Sequence, residues 1–297
     1  MKCDRCRRSE PVYFREYEGR SLCKRCFLQT IEKRAREEIR RYGGISGKKV
    51  LVAVSGGKDS NAALYILWKI AKRSRAELQT ISIDEGIKGY RKKSLTKAEE
   101  LCESLGIEHQ VISFKEEIGV TMDQISELGS PCTYCGVLRR KLLNEYALKG
   151  GFDFVATGHN LDDEAQSILM NLMRGNIKRL LREENPKNGL VPRIKPLRLV
   201  PEEEVVMYSE FRGIPYYQGE CPYVEMAFRK RIRDFLREMK KESPGVLFNL
   251  VRSWEKVRNL KSKPDIKLNK CEICGSPTSR EICKACELMD IISLEFT

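Results

Sequence analysis

The sequence of 297 residues has few histidines and no long apolar run. Its two histidines are His109 and His159, so a metal ion in this protein must be held mostly by thiolates. No stretch approaches the roughly 18 consecutive apolar residues of a helix that spans a membrane. The first residues, Met1 to Cys6, lack the apolar core of a signal peptide. These absences predict a cytoplasmic protein with no membrane partner.

Positive charge exceeds negative charge in this chain. Lysine and arginine number 55 against 42 aspartates and glutamates, which gives a formal net charge of +13. Such an excess favours a polyanionic partner, and nucleic acid is the commonest one. The alternative is a heat-adapted surface rich in charge networks, which explains many charges but not their imbalance. Residues 225–263 carry 12 basic and 5 acidic side chains, so over half of the excess lies there.

Twelve cysteines are too many to leave unassigned in a cytoplasmic protein, where disulfides are rare. Eight of them form four Cys-x-x-Cys pairs, two near each end, and two such pairs supply the four thiolates of a closed zinc site. A redox Cys-x-x-Cys pair is the alternative, but it leaves the second pair at each end unexplained. The sequence therefore predicts two structural zinc sites. Their ligands are Cys3, Cys6, Cys23 and Cys26 for the first site and Cys271, Cys274, Cys283 and Cys286 for the second.

The middle of the chain alternates strands with helices. Short apolar runs predict the strands, and apolar residues at helical spacing predict the helices. This alternation indicates a parallel sheet with helices on both faces, so we expect an α/β, doubly wound fold. After Gly175 the sequence is basic and broken by Pro186, Pro192 and Pro196 before helices resume. The predicted strands are 49–54, 78–83, 109–114 and 152–157, and the predicted helices are 30–42, 59–73, 93–105, 135–148, 162–174, 202–211, 226–240 and 246–257.

A glycine-rich loop follows the first predicted strand and opens a helix. It reads Ser55-Gly56-Gly57-Lys58-Asp59-Ser60. The glycines let backbone N–H groups approach a phosphate, while Lys58 and the helix N-terminus add positive charge. The glycines are adjacent, unlike those of the Gly-x-x-x-x-Gly-Lys-Ser/Thr loop. The complete pattern resembles the pyrophosphate loop of the N-type ATP pyrophosphatases, which cleave ATP to AMP and pyrophosphate.

Four cysteines remain outside the terminal pairs. Cys102 falls in the apolar stripe of a predicted helix and is expected to be a buried thiol. Cys132 and Cys135 lie at a helix start, and Cys221 follows much later. Three thiolates can hold a [4Fe–4S] cluster and leave one iron without a protein ligand, where sulfide could bind. A persulfide relay on the same thiols and a catalytic zinc with three ligands are the alternatives.

Several motifs together resemble the TtcA/TtuA family of tRNA thiolases, over nearly the whole chain. They are the loop 55–60, the segments 131–136 and 158–164, Cys221 and the terminal cysteine pairs. The resemblance implies a PP-loop ATPase fold, similar to the adenine nucleotide alpha hydrolases, with zinc-ribbon modules at both termini. It also implies ATP-dependent 2-thiolation of a tRNA uridine through an adenylated intermediate. The implied [4Fe–4S] ligands are Cys132, Cys135 and Cys221.

The resemblance assigns expected roles to further residues. Asp59 would hold magnesium, Asp163 would act near the activated base, and Arg139 would contact a phosphate. With the three cluster cysteines, Asp59 and Asp163 are the candidate catalytic residues. As first-turn acids of their helices, both aspartates have a structural role as the alternative. The expected ATP-binding residues are Ala53, Ser55, Gly56, Gly57, Lys58, Asp59, Ser60, Ile83, Arg139 and Gly158.

Two segments favour the wobble uridine, position 34, as the target within this family. Residues 135–140 and 170–176 are more similar to the branch of archaea and the eukaryotic cytosol than to relatives that act on the T-loop uridine, position 54. Uridine 54 is the first alternative. A non-catalytic iron–sulfur or zinc RNA-binding protein is the alternative from another class, and it would need no intact phosphate loop. A cytidine thiolase does not account for the terminal cysteines, and a lysidine synthetase does not account for the central ones.

The resemblance also predicts partners and domains. The partners are tRNA, a second copy of the chain in a homodimer, and a sulfur donor. For the donor, free sulfide, a persulfide and a ubiquitin-like thiocarboxylate protein are the candidates. We expect a zinc module over residues 1–30, a catalytic domain over 31–263 with a basic helical part from about 201, and a second zinc module over 264–297. The basic helices and the zinc modules are candidates for holding the RNA.

Overall fold

The computed structural model of the chain describes residues 1–181, 189–260 and 268–296. Pro186 and the predicted domain boundary at 263–264 therefore lie outside the described residues. The strands are β1 Tyr13–Arg15, β2 Arg20–Leu22, β3 Lys49–Ala53, β4 Glu77–Asp84, β5 His109–Ser113, β6 Phe154–Ala156, β7 Arg193–Ile194, β8 Asn269–Lys270 and β9 Pro277–Thr278. The helices are α1 Lys24–Arg40, α2 Lys58–Ala71, α3 Arg91–Leu105, α4 Phe114–Ile118, α5 Met122–Ile125, α6 Pro131–Lys149, α7 Leu161–Met173, α8 Ile177–Leu180, α9 Glu202–Arg212, α10 Phe228–Glu242, α11 Val246–Leu260 and α12 Lys284–Phe296.

A five-stranded parallel sheet forms the centre, in the order β5-β4-β3-β6-β7. The chain first adds β4 and β5 on one side of β3. It then crosses over and adds β6 and β7 on the other side. In open sheets of this type, ligands bind at the carboxyl edge where the strand order reverses, here between β3 and β6. All four predicted strands are present and the predicted α/β fold is confirmed. Edge strand β7 was not predicted, because two residues are too few to show a period.

Both faces of the sheet are covered by helices. Val50 and Val52 of β3 are fully buried in one cluster that includes α1, α2, α3 and α9. Leu51, between them, is buried in a second cluster with α5, α6 and α12. Successive side chains of a strand point to opposite faces, so a strand covered on both sides must be apolar throughout. This requirement is why the short apolar runs identified the strands correctly.

The basic helices near the C-terminus pack on α7. Ile232 and Leu236 of α10 and Val251 of α11 are buried against α7 residues such as Leu161 and Ile168. The lysines and arginines of α10 lie on its other faces, as expected for an amphipathic helix. Within the described ranges, no helix has the length and apolar character needed to cross a membrane.

The two terminal modules are attached to the central domain by helices. Helix α1 begins at Lys24, inside the second cysteine pair, whereas the sequence predicted its start near residue 30. The helix begins earlier because Cys26, the last cysteine of the first metal site, lies in its first turn. At the other end, α12 was not predicted, yet Leu288 and Ile292 on it are buried against the α6 side of the core. The division into domains at residues 30 and 263 stays a prediction.

Candidate active site

The loop between β3 and α2 is held in one shape by its own side chains and by α3. Gly56 has φ +79°, and a methyl group added there would lie 1.6 Å from the carbonyl oxygen of Ser94. A side chain is excluded both by this close approach and by the left-handed backbone. The hydroxyl of Ser60 accepts a hydrogen bond from the N–H of Ser55 over 3.0 Å and donates one to the carbonyl of Gly57 over 3.0 Å. The loop therefore runs directly into the N-terminus of α2, and the backbone N–H groups there favour binding of an anion.

Arg91 ties this loop to the end of β4. Its Nη1 donates to the carbonyl of Ser55 over 2.9 Å, and its Nε donates to the carbonyl of Ile83 over 2.8 Å. A carboxylate oxygen of Glu85 lies 2.8 Å from the same Nε, and both side chains are buried. One guanidinium thus holds two of the expected nucleotide-binding segments together. Sequence reasoning missed Arg91 because a single arginine in a basic chain is not distinctive.

Lys58 and Asp59 occupy the first turn of α2, and both already have partners. Nζ of Lys58 lies 3.0 Å from Oδ2 of Asp59 and 2.8 Å from Oε1 of Glu202. Oδ1 of Asp59 accepts a hydrogen bond from Nδ2 of Asn160 over 2.9 Å. Burial raises the pKa of Asp59, and Lys58 opposes this shift. A lone carboxylate beside a phosphate loop fits magnesium, which is commonly held by one or two carboxylates plus substrate phosphates.

Gly158 brings the loop after β6 against the phosphate loop. A methyl group there would lie 2.5 Å from the backbone N of Ser60, so any side chain would push the two loops apart. The next residue, His159, lines the cleft, and its Nδ1 lies 2.9 Å from the hydroxyl of Thr157. The surrounding protein lowers the pKa of His159 to about 3, with a smaller contribution from nearby positive charge. The imidazole is therefore neutral near pH 7.

Asp163 has a structural role at the start of α7. Its backbone N–H donates to Oδ1 of Asn160 over 3.0 Å, and its Oδ2 accepts from the N–H of Asn160 over 3.3 Å. This reciprocal pair is a capping box, so the structural alternative considered for Asp163 is observed. The other carboxylate oxygen, Oδ1, lies 3.6 Å from Nη1 of Arg229 in α10. Burial raises the pKa of Asp163, and Arg229 opposes the rise.

These residues surround one open cleft of about 720 Å³ at the carboxyl edge of the sheet. Nine of the residues expected to bind ATP or to act in catalysis line it. Gly56, Gly57 and Lys58 belong to the same loop as Ser55 and Asp59 but are not among the lining residues, and neither are Cys135 and Cys221. The nine lining residues are Ala53, Ser55, Asp59, Ser60, Ile83, Cys132, Arg139, Gly158 and Asp163.

The three central cysteines come together from two parts of the chain. Cys132 and Cys135 lie in the first turns of α6, and Cys221 precedes α10. Sγ of Cys132 is 3.7 Å from the carbonyl oxygen of Tyr223, two residues after Cys221. Cys221 is close enough to both other thiols for their charges to interact.

This arrangement fits a [4Fe–4S] cluster better than a single metal ion. Among the described residues, the metal-binding groups whose ligand atoms all lie within 4.8 Å are the two terminal cysteine sets, and the central thiols are not among them. In a cluster each thiolate binds a different iron, so the sulfurs are more widely spaced than around one ion. The spacing therefore disfavours the alternative of a catalytic zinc with three ligands.

Two contacts join the cysteines to the phosphate loop. The positive charge of Arg139 acts on the thiol of Cys135, and Nε of Arg139 lies 3.3 Å from Oε1 of Glu85, the carboxylate that also holds Arg91. Burial raises the pKa of Cys135 to about 11, and Arg139 opposes this shift. In addition, the N–H of Tyr217 donates to the carbonyl of Gly56 over 2.8 Å, four residues before the third cysteine.

The terminal cysteines form two four-cysteine metal sites, as predicted. Sulfur–sulfur distances are 3.8 Å for Cys6 and Cys23, 3.9 Å for Cys271 and Cys286, and 3.7 Å for Cys274 and Cys283. A tetrahedron of thiolates around zinc, with Zn–S bonds of about 2.3 Å, has edges of about 3.8 Å. The distances therefore fit zinc, and none is short enough for a disulfide.

Cys102 is buried and lies outside these groups, as expected. Its thiol is 3.3 Å from the hydroxyl of Thr80, and burial raises its pKa. Within the described part of the chain it is thus the one cysteine that belongs neither to a terminal site nor to the central three.

Comparisons with known proteins agree with this geometry. A family model described as a PP-loop domain matches residues 27–240. A probable sulfurtransferase of Methanocaldococcus jannaschii is 41% identical over 94% of this chain and 84% of its own length. Cytoplasmic tRNA 2-thiolation protein 1 of Aspergillus niger is 36% identical over 97% of this chain and 87% of its own. The solved structure of the U34-tRNA thiolase NcsA from Methanococcus maripaludis, with its [4Fe–4S] cluster, has a TM-score of 0.89 at 34% identity, covering 98% of this chain and 96% of that one.

Proposed function

The chain belongs to the TtcA/TtuA family of PP-loop tRNA thiolases, and from this premise we propose that it replaces the 2-oxygen of the wobble uridine of tRNA with sulfur at the expense of ATP. The observation that carries the proposal is one cleft that contains both the phosphate loop and Cys132. The relative from Methanococcus maripaludis, a U34-tRNA thiolase, supports position 34 over position 54. The intact loop, braced by Arg91, argues against a non-catalytic RNA-binding protein.

The phosphate loop activates the uridine oxygen in this proposal. The 2-oxygen of uracil is a poor leaving group, so it first attacks the α-phosphate of ATP, and pyrophosphate departs. The N–H groups at the start of α2 and the ammonium of Lys58 stabilise the negative charge on that pyrophosphate. Glu202 and Asp59 keep the ammonium at the loop. Asp59 is the residue that would hold magnesium, and the ion would neutralise phosphate charge.

Asp163 and Arg229 are placed to act on the uridine. The Asp163 carboxylate faces Arg229 at the rim of the cleft, and burial keeps its pKa above the usual value. It can therefore accept or return a proton as the base changes from a lactam oxygen to a thiocarbonyl. The neutral imidazole of His159 lines the same cleft and can donate or accept one hydrogen bond without adding charge.

Cys132, Cys135 and Cys221 hold the [4Fe–4S] cluster in this proposal. A cluster on three thiolates supplies one iron without a protein ligand, where sulfur can be held for transfer to carbon 2, from which AMP then departs. Arg139 stabilises the thiolate of Cys135 by its positive charge and is itself held by Glu85. Through these contacts the chain keeps the sulfur-bearing and ATP-binding sides of the cleft in fixed relation.

We propose zinc as the metal of both terminal sites, because their sulfur spacing fits that ion. A cytoplasmic location is supported by the Aspergillus niger relative, which is a cytoplasmic tRNA 2-thiolation protein. Sulfide, a persulfide and a thiocarboxylate protein stay the candidate sulfur donors. A homodimer stays a prediction, which sedimentation equilibrium of the reconstituted protein tests.

The test is an anaerobic thiolation assay. The chain is reconstituted with iron and sulfide and incubated with unmodified tRNA, ATP and sulfide, and the digested nucleosides are analysed by mass spectrometry. We expect 2-thiouridine that depends on ATP and maps to position 34. A product at position 54 would move the target to the T-loop. If no product forms with any of the three sulfur donors, although cluster and tRNA are bound, the thiolase proposal is wrong.

A set of cysteine variants separates the cluster from general damage. Cys132→Ala, Cys135→Ala and Cys221→Ala should each abolish both the cluster absorbance and thiolation. Cys102→Ala is the matched control, because this buried thiol lies in α3 and belongs to no metal group. It should keep the cluster and the activity. Cluster binding by all three variants would contradict the assigned ligands.

A further inference from the structure

The active-site cleft is lined by many positively charged side chains. Seven cationic side chains line it, and four of them form ion pairs with carboxylates in or beside the cleft wall. The four pairs are Arg91 with Glu85 at 2.8 Å, Arg139 with Glu85 at 3.3 Å, Lys195 with Glu164 at 2.6 Å and Arg229 with Asp163 at 3.6 Å. A group of three arginines also lies at one side of the cleft.

This arginine cluster consists of Arg140, Arg179 and Arg193. They come from three elements, α6, α8 and β7, and Nη2 of Arg193 donates to the carbonyl oxygen of Arg140 over 3.4 Å. Among the residues that the structure describes, neither Arg140 nor Arg179 forms an ion pair with a carboxylate. Both are exposed to solvent in the cleft. The cluster is therefore positively charged and open to a ligand.

The positive charges of Arg179 and Arg193 act on Arg140. The surrounding protein, and then the charges of Arg179 and Arg193, lower the pKa of Arg140 to about 10. Gly136, one turn earlier on α6, leaves room for the Arg140 guanidinium, since Nη1 would lie 3.3 Å from a methyl group there. Guanidinium groups bind phosphate oxygens through paired N–H donors, so a phosphate between them would offset the repulsion.

The cluster lies apart from the place where the triphosphate binds. The phosphate loop follows β3, whereas Arg193 belongs to β7, two strands farther along the sheet and so about 10 Å away. Arg140 follows Cys132 by eight residues on α6, a rise of about 12 Å. If the target base of an RNA strand reaches Cys132, the sugar–phosphate backbone of that strand would lie next to the arginines. Because the three arginines come from three different elements, they are better placed to bind several phosphates of one strand than a single phosphate group.

We propose that Arg140, Arg179 and Arg193 bind phosphodiester groups of the RNA strand next to the target uridine. This inference rests on the proposed function, because it takes the ligand to be the tRNA substrate. The arginines read no bases and hold the strand in register, as phosphate contacts do in other RNA- and DNA-binding proteins.

RNA binding by the reconstituted full chain tests this proposal. A fluorescein-labelled anticodon stem–loop of unmodified tRNA is titrated at several salt concentrations, and its anisotropy gives Kd. Arg140→Gln and Arg179→Gln should each weaken binding several-fold. The double variant should lower the slope of log Kd against log salt by about 1.4, since each single-strand phosphate contact contributes about 0.7. The Kd for ATP should stay unchanged.

Arg40→Gln is the matched control. Arg40 is exposed at the end of α1, outside the cleft, and its replacement also removes one positive charge. It should change neither the affinity nor the salt slope. Circular dichroism and zinc content show whether each variant is folded.

Two results would overturn the proposal while leaving the proposed function intact. If the wild type thiolates tRNA with free sulfide but the double variant binds the stem–loop as wild type does, the arginines do not contact RNA. If ATP binding weakens and RNA binding does not, the cluster belongs to the nucleotide site. Failure of the wild type to thiolate under the same conditions would instead count against the proposed function.

Discussion

Nδ2 of Asn160 donates a hydrogen bond to Oδ1 of Asp59 over 2.9 Å. The same side chain caps α7, because its Oδ1 accepts from the N–H of Asp163 over 3.0 Å. One amide therefore joins the N-termini of α2 and α7, the two helices that begin at the strand-order reversal of the sheet. Both acids proposed to act in catalysis are oriented by it.

Variants of Asn160 separate these two roles. Asn160→Ala should lose the cap and cost about 1 kcal/mol of unfolding free energy. Asn160→Ser should keep the cap and most of the stability, but it has no N–H to offer Asp59. We expect both variants to slow ATP-dependent thiolation, and only the alanine variant to unfold at lower urea. Full activity of the folded serine variant would show that Asp59 needs no orientation by Asn160.

The two adjacent glycines of the phosphate loop should respond differently to alanine. Gly57 has an ordinary backbone conformation, and a methyl group there would meet nothing closer than the Ser55 hydroxyl at 3.5 Å. Gly56 requires a left-handed backbone and would collide with Ser94. Urea unfolding of the protein without nucleotide should show Gly56→Ala destabilised by at least about 1–2 kcal/mol, the cost of the backbone alone, and Gly57→Ala nearly unchanged. Equal losses in the two variants would contradict this description of the loop.

The N-terminal module is fastened to α9 by a buried carboxylate. Glu204 is fully buried, lies 2.6 Å from Nε of Arg15 and accepts a hydrogen bond from Tyr17 over 2.6 Å. Glu204→Gln should cost up to about 3–5 kcal/mol, because it breaks a buried ion pair and leaves Arg15 with only the partly exposed Glu18, 3.3 Å away, as a carboxylate partner among the described residues. Glu203→Gln is the control, since Glu203 is exposed and pairs with Lys240 at the surface, where a pair contributes about 0–1 kcal/mol. Thermal unfolding of the two variants should rank them in that order.

The C-terminal metal site should be needed to keep α12 in place. Cys283 is a ligand candidate next to α12, and Leu288 and Ile292 on that helix are buried against the core beside α6. Cys283→Ser should lower bound zinc from two ions to one per chain and raise amide exchange along α12, while the central sheet stays protected. Unchanged exchange in α12 at one zinc per chain would show that packing alone holds the helix.

The strands of the central sheet could be predicted from the sequence. A strand that is buried on both faces must be apolar throughout, and such a run is visible in the sequence. The run 49–54 and the three other predicted strands are observed with ends shifted by no more than two residues. The family could also be predicted, because its phosphate loop and its Cys-x-x-Cys motifs are each short, contiguous segments of the sequence. The four-cysteine sites could be predicted because their pairs have the spacing of metal ligands.

The rest of the site depends on contacts between residues that are distant in sequence. Nothing at Arg91 or Glu85 indicates that they meet over the phosphate loop, and the pairing of Arg229 with Asp163 joins residues 66 positions apart. Asn160 was recognised as part of a motif, but its hydrogen bond to Asp59 required the sheet topology. Such contacts follow from how strands and helices are placed, and single-residue patterns do not encode that placement.

Asp162 gives stability a pH dependence that a single variant can expose. Burial raises its pKa to about 6, although Lys240 and the N–H of Glu202 oppose the shift. An unfolded aspartate has a pKa of about 3.9, so between about pH 4 and 6 the folded state binds more protons and the contribution of Asp162 to stability falls as pH rises. Asp162→Asn cannot ionise and can still accept the Glu202 hydrogen bond. Its unfolding free energy relative to wild type should therefore increase from pH 4 to pH 7.

Asp234 supplies the control of opposite sign for this prediction. Its hydrogen bond with Lys230 lowers its pKa, so its contribution is present above the unfolded pKa and is lost as pH falls. Relative to wild type, Asp234→Asn should therefore lose stability mainly as pH rises up to about 5 and change little from there to pH 7, while Asp162→Asn gains stability between pH 4 and 7. Comparing each variant with wild type at the same pH removes the effect of the metal-binding cysteines, which titrate in all three proteins. Parallel trends in the two variants would mean that burial does not control the charge of Asp162.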